Sequence, residues 1–217
     1  MLERMATKFW IFDLDNTLHN ATPHIFPHIN RSMTAYLQEH LQLDEMAANE
    51  LRLHYWQRYG ATLRGMMRHH GTDPDHFLWH THQFPELPAM VLHEPRLRHM
   101  LKALPGKKVV FSNAPRHYVH AVLKLLRVDG LFDDVMAVEH TRFRPKPDLF
   151  GFMYLIRKHG LKAAQCVMVE DSLENLQAAK RLGMRTVWVS NSNKSEPCVD
   201  IKIRNIMQLP RSLSRLN

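Results

Sequence analysis

Two pairs of carboxylates in this chain stand where strands should end. Asp13-Leu14-Asp15-Asn16-Thr17 follows the apolar run Phe9-Trp10-Ile11-Phe12, and Glu170-Asp171-Ser172 follows Cys166-Val167-Met168-Val169. A third run, Val109-Val110-Phe111, ends in Ser112-Asn113, and Lys146 lies between Pro145 and Pro147. A carboxylate at a strand end can attack phosphorus and form an aspartyl-phosphate. A second one, two residues on, points the same way if the backbone stays extended. It can then protonate a leaving oxygen and later deprotonate water. The prolines hold Lys146 on a stiff, non-helical segment, where its compact ammonium could neutralise phosphoryl oxygens. Carboxylates such as Asp13 and Asp171 suit Mg²⁺, which prefers hard oxygens and keeps places for water and phosphate. Gathered in one place, these groups would make a phosphoryl-transfer site.

Each cluster also has a simpler reading. Asp13 and Asp15 could be exposed acids of a turn, which explains one Asp more easily than two. They do not form an EF-hand calcium loop, because Leu18 and His24 stand where that loop needs Gly and Glu. Ser112-Asn113 could be a cap or a turn, and Lys146 an exposed loop lysine. Asp171 could cap a helix, with Glu174 completing a capping-box pattern, although two adjacent carboxylates exceed what a cap requires. His76 and His80, with His82 nearby, could approach a metal, but no Cys or carboxylate pattern completes a zinc site.

The elements that must position these groups read clearly. Apolar runs predict strands at 9–12, 109–112, 135–138, 167–169 and 186–189, with a short edge strand near 200–204. Amphipathic stretches at 116–127, 148–159 and 173–182 separate the later ones, with Gly130, Gly160 and Gly183 as helix C-terminal punctuation. This alternation predicts an α/β fold, a doubly wound parallel sheet. In such a sheet, ligands gather beyond the carboxyl ends of the strands. The stretch 20–93 has no strand run, and its apolar residues recur at helical spacing from Ile25 to Met67. Asp73-Pro74 marks a helix start. This predicts a catalytic core of 1–19 and 94–217, with 20–93 inserted as a helical cap beside the first aspartates.

The bulk properties narrow the function classes. With 217 residues, 45% hydrophobic and 23% charged, the chain has material for a core and an insertion, and no signature of disorder. No apolar run is long enough to cross a bilayer and the N-terminus has no signal-peptide segment, so no membrane partner is expected. Only Cys166 and Cys198 are present, which fits a reducing, cytoplasmic setting. The net charge of +8 suits anionic small molecules. The basic residues are spread along the chain without a Lys/Arg block or a nucleic-acid motif, which weighs against a nucleic-acid partner.

The ordered set Asp13-x-Asp15-x-Thr17, Ser112, Lys146 and Glu170-Asp171 resembles the haloacid-dehalogenase-like hydrolase superfamily, over roughly 8–20 and 106–190. Its phosphatase branch is favoured because Asp15 supplies the second acid. The stretches Ile11–Leu18 and Tyr59-Gly60-Ala61-Thr62-Leu63-Arg64-Gly65, with the His69–Asp73 region, resemble the pyrimidine 5′-nucleotidase group within it. The resemblance implies a Mg²⁺-dependent phosphatase acting on a nucleoside monophosphate, UMP or CMP. It makes Asp13 the nucleophile and a Mg²⁺ ligand, and Asp15 the acid and base with its backbone carbonyl on the metal. Ser112 and the Asn113 N–H would hold phosphoryl oxygens, and Lys146 would neutralise charge. Asp171 would ligate Mg²⁺, with Glu170 acting directly or through water. Thr17 would support the site through Asp15. Asn175 stands where many members carry Asp, and its amide could accept a bond from Lys146. Arg64 and Tyr55 are the candidate substrate contacts in the insertion. Two other readings remain open: a broader sugar-phosphate phosphatase or phosphomutase, and a basic nucleic-acid-binding or regulatory protein that kept the fold without catalysis.

Overall fold

The computed structural model describes residues 8–92 and 94–216. The N-terminal segment and the expected boundary at 93 lie outside the described residues. Six strands form one parallel sheet: β1 (Phe9–Phe12), β2 (Lys107–Phe111), β3 (Asp134–Met136), β4 (Cys166–Glu170), β5 (Arg185–Val189) and β6 (Ile201–Ile203). Their order is β3-β2-β1-β4-β5-β6. The chain builds outward from β1 on one side, then crosses to β4 and builds outward on the other. That reversal is a topological switch point, and it lies between the strands that carry the two carboxylate pairs. Phe9 is in register with both Lys107 and Cys166, so β1, β2 and β4 deliver their last residues to one level.

The strands are buried on both faces, as the continuous apolar runs required. Trp10 and Phe12 join one core cluster, while Phe9 and Ile11 join another on the opposite face with Phe111 and Phe152. The helices that follow the sheet strands are α7 (Arg116–Leu125), α8 (Leu149–Lys158) and α9 (Leu173–Arg181). The third strand stops earlier than expected, because Val138–Thr141 turns into a short 3₁₀ helix that carries the chain toward Lys146. Gly160 and Gly183 follow α8 and α9 with φ of 61° and 90°, the left-handed geometry that glycine adopts without a Cβ clash. Gly130 does not cap a helix; it lies inside the short turn Asp129–Leu131.

Between β1 and β2 the chain is helical: α1 (Ile25–Leu41), α2 (Glu45–Tyr59), α3 (Thr62–His70), α4 (Pro74–His82), then the shorter α5 (Leu87–Met90) and α6 (Leu97–Ala103). Asp73 caps α4 by accepting from the His76 N–H, with Pro74 in the first turn. Tyr36, Leu37, Tyr55, Leu63, Met66 and Phe77 form the interior of this layer. Its two ends belong to the sheet instead: Ile25, Ile29, Phe84 and Leu87 pack in the same cluster as Phe12 and Val110. No helix among the described residues is long and apolar enough to cross a membrane.

Candidate active site

The site starts one residue past β1. The Asp13 N–H donates to the Val169 carbonyl at 3.0 Å, which prolongs the ladder with β4 and fixes the Asp13 side chain at the sheet edge. Asn16 then takes a left-handed φ of 63° and ends the extended run. Its Oδ1 accepts from the Ala21 N–H, the Thr22 N–H and the Thr22 hydroxyl, which curls the loop back over the strand end. That curl puts His19 beside Asp15.

Lys146 is the centre of the charge pattern. It is 4% exposed, and its ammonium donates to Asp13 Oδ1 at 2.7 Å, Glu170 Oε2 at 2.8 Å and the Phe111 carbonyl at 2.8 Å. Asn113 clamps the lysine's backbone, accepting from its N–H at 2.7 Å and donating to its carbonyl at 3.1 Å. All three ammonium hydrogens are therefore used, and Asn175 is not among the acceptors; it lines the cleft instead. The expected support of Lys146 by Asn175 is corrected to Glu170, the last residue of β4, whereas Asn175 stands on α9. Burial disfavours the Lys146 charge, but Asp13 and Glu170 outweigh it and hold the ammonium protonated.

Asp13 feels the opposite balance. Burial and the neighbouring Glu170 push its pKa up to about 7, against the pull of Lys146. Burial also raises Glu170 and Asp171. Glu170 Oε1 accepts from the N–H groups of Asp171 and Ser172, each at 3.2 Å. The N-cap of α9 is Ser172, so the capping reading of Asp171 is not realised, and Asp171 lines the cleft. The Trp188 indole donates to the Asp171 carbonyl at 2.8 Å and fixes that turn. Oxygens of Asp13, Glu170 and Asp171 lie within 4.8 Å of one another. Three carboxylates against one ammonium leave an excess of negative charge on hard oxygens, which fits Mg²⁺.

Ser112 is buried at the end of β2, where its Oγ accepts from the Ala114 N–H at 3.0 Å and keeps its own hydrogen for an incoming oxygen. Asp15 faces the same cleft, and its Oδ1 receives two donors: the Tyr118 hydroxyl at 2.6 Å and His19 Nε2 at 2.9 Å. Thr17 does not bond Asp15 as expected; its hydroxyl is buried without a hydrogen-bond partner among the described residues, and the two donors to Asp15 Oδ1 are Tyr118 and His19.

The cleft above these groups has a volume of about 520 Å³, and its far wall comes from α1 and α2. Neither expected substrate contact lies on it. Tyr55 is buried inside the helical layer, its hydroxyl 2.7 Å from His70 Nε2, and the exposed Arg64 donates to the Tyr59 carbonyl at 3.4 Å. Arg52 and Trp56, three residues before and one after Tyr55, line the cleft in their stead. A helix turns about 100° per residue, so the face was missed by one position. The His76 and His80 rings meet at a tilt with centroids 4.3 Å apart, while His82 lines the cleft, so the three do not form a common ligand set. Tyr118 and His19 were missed because each has a ready alternative, an aromatic on an amphipathic helix and one histidine among sixteen; the i,i+4 spacing of Asp15 and His19 was the available signal.

The geometry defines a doubly wound α/β protein with a carboxylate–lysine–carboxylate centre at its switch point. Residues 10–189 match the haloacid dehalogenase-like hydrolase family, and the chain belongs to it. It is similar to Phosphate metabolism protein 8 of Saccharomyces cerevisiae, 26% identical over 82% of this chain and 60% of that protein. A phosphoglycolate phosphatase of Aliivibrio fischeri is 33% identical over 41% of this chain and 39% of its own. The chain thus spans about three fifths of the length of the first relative and about two fifths of the second. Among solved structures, a phosphatase of the same family from Thermococcus onnurineus superposes with a TM-score of 0.69 at 23% identity, covering 95% of this chain and 97% of that one. These matches define the superfamily, not the narrower nucleotidase group.

Proposed function

We propose that this protein is a Mg²⁺-dependent phosphatase that hydrolyses nucleoside 5′-monophosphates, UMP or CMP, through an aspartyl-phosphate. One observation carries the phosphatase reading: Asp15 faces the cleft beside Asp13 and Lys146, so nucleophile, second acid and cation share one site. Asp13 attacks phosphorus while Lys146 and the Ser112 hydroxyl take up charge on the phosphoryl oxygens. Asp15 gives its proton to the departing alcohol, then takes one from the water that opens the aspartyl-phosphate. Asp13, Glu170 and Asp171, with the Asp15 backbone carbonyl, would hold Mg²⁺, which supplies further charge neutralisation at phosphate. The helical segment 20–93 serves as the cap over the core of 1–19 and 94–217. Both cysteines are free and buried, in keeping with a cytoplasmic setting.

The nucleotide reading is supported by the cap wall. Trp56, 58% exposed, and Phe26 line the cleft, and Arg52 is held there by Asn30 and Asn49 without a carboxylate partner among the described residues. A ring with carbonyl acceptors would use all of these. The same unpaired Arg52 favours a second reading, a small phosphorylated acid or sugar. Relatives named as phosphoglycolate phosphatase and N-acylneuraminate-9-phosphatase point that way. Phosphate release measured with and without Mg²⁺ on UMP, CMP, AMP, phosphoglycolate and ribose 5-phosphate tests both. Preference for UMP or CMP is expected; preference for phosphoglycolate or the sugar phosphate would install the second reading. No Mg²⁺-dependent release from any of them would remove the phosphatase assignment.

A further inference from the structure

We infer that Tyr118 and His19 are positioning residues for Asp15: together they fix one oxygen of its carboxylate and leave the other to carry the proton to and from substrate. The inference rests on the phosphatase reading above and extends it to two residues outside its motifs.

Both donors converge on a single atom. The Tyr118 hydroxyl reaches Asp15 Oδ1 at 2.6 Å from 103 positions away in sequence, and His19 Nε2 reaches the same Oδ1 at 2.9 Å. Oδ2 receives no such bond among the described residues. A carboxylate with two donors on one oxygen cannot rotate about its Cβ–Cγ bond without breaking both, so the free oxygen is held in one direction. Both donors are themselves fixed. Tyr118, on the buried face of α7, is 1% exposed, and the His19 side chain is fully buried, bridged to Asp15 through the backbone. Tyr118 also connects this arrangement to the cap: His82, at the end of α4, packs edge-on against its ring at 5.9 Å and lines the cleft.

The chemistry gives this geometry a purpose. As Asp13 bonds to phosphorus, the bond from phosphorus to the leaving oxygen breaks, and the proton on Asp15 Oδ2 passes to that oxygen. Water then attacks the aspartyl-phosphate, returns a proton to Oδ2, and releases inorganic phosphate and Asp13. Proton transfer demands close alignment of donor and acceptor, so an untethered carboxylate would transfer less often per encounter.

A purely structural role for Tyr118 would be filled by phenylalanine, since the ring alone does the packing. The readout is the dependence on leaving group. p-Nitrophenolate departs without protonation, whereas the alcohol of a sugar or nucleoside does not. We expect Tyr118→Phe to lose about 10- to 100-fold in kcat/KM on UMP or ribose 5-phosphate, and less than about 3-fold on p-nitrophenyl phosphate. His19→Ala should show the same bias, and His19→Gln, whose amide N–H can reach Oδ1, should recover most of it. Asp15→Asn is the reference and should show the largest bias. Equal losses on both substrate types in Tyr118→Phe and His19→Ala, with the bias intact in Asp15→Asn, would overturn the positioning role alone. An Asp15→Asn protein without bias would overturn the acid role on which it rests. Should Tyr118→Phe fail to fold, as read by circular dichroism, the His19 pair decides the question by the same criterion.

Discussion

At Asp13, the proposed nucleophile, the protein keeps a carboxylate in a place that opposes its charge. Burial and Glu170 favour the protonated form, and Lys146 alone among its close neighbours favours the carboxylate. Asp13, Lys146 and the neighbouring Asp171 should fail differently. Asp13→Asn is expected to abolish phosphate release while circular dichroism and thermal melting stay close to wild type, because the amide keeps the shape but is a poor nucleophile. Substantial release by that folded variant would remove the nucleophile assignment. Asp171→Ala should shift the Mg²⁺ concentration needed for activity upward, so that high Mg²⁺ restores part of the rate. Lys146→Ala should gain nothing from added Mg²⁺, since it removes a fixed charge rather than a ligand. It also leaves Asp13 and Glu170 facing each other in a buried site, which costs roughly 3–5 kcal/mol in urea unfolding. An unchanged Mg²⁺ dependence in Asp171→Ala would exclude it as a ligand.

Among the elements, the helical layer between β1 and β2 depends on the close approach of α2 and α3. Gly65 sits where a Cβ would come 2.1 Å from Tyr55 Cγ, so the ring of Tyr55 occupies the space a side chain would need. Tyr55 is thereby assigned to holding two cap helices together, and Arg52 and Trp56 on the neighbouring faces of α2 are left for the cleft. Gly65→Ala should displace that ring and destabilise the protein by about 1–3 kcal/mol, seen as a lowered Tm. Gly130→Ala is the control, because nothing lies within 4 Å of its added Cβ. A Gly65→Ala protein that melts with the control would show that the contact relaxes without cost.

Across the molecule, acid should loosen the far edge of the sheet. Asp200 stands just before β6, where its carboxylate accepts from Lys180 at the end of α9 and from both the N–H and the hydroxyl of Thr186 on β5. Burial acts to raise its pKa, but these bonds outweigh it and leave it below the usual carboxylate value. With the folded value below the unfolded one of about 3.9, the stabilisation is complete above that pH. It is lost as the pH falls through the lower, folded value. Asp134, bonded by Lys158 and His159 at the opposite edge, is lowered in the same way. The wild type should therefore lose more Tm between about pH 5 and about pH 3 than Asp200→Asn does. Parallel melting curves would take Asp200 out of the acid response. Added Mg²⁺ should raise the Tm of the wild type and leave that of Asp171→Ala nearly unmoved, since a ligand that binds only the folded state stabilises it.

The parallel sheet was legible from sequence because its strands are short apolar runs buried on both faces, each ended by a polar residue. The apolar runs therefore mark where β1, β2 and β4 lie, although β2 begins two residues earlier than its apolar run, at Lys107-Lys108, and β4 extends to Glu170. The carboxylate pairs and Lys146 were legible for the same local reason: two acids at a strand end, or a lysine between prolines, are hard to explain by packing. Partnership is a different matter. That Lys146 is answered by Glu170 rather than Asn175, and that Asp15 is held by Tyr118 and His19 rather than Thr17, follows from where distant segments come to rest. Hydrogen bonds need tenths of an ångström and a direction, neither of which residue type carries. The helical segment between β1 and β2 shows the same limit: helical spacing identified its apolar residues, yet Tyr55 turned inward and Arg52 and Trp56 turned to the cleft. One step along a helix is about 100° of rotation, and only packing against the neighbouring helices decides which face meets the substrate.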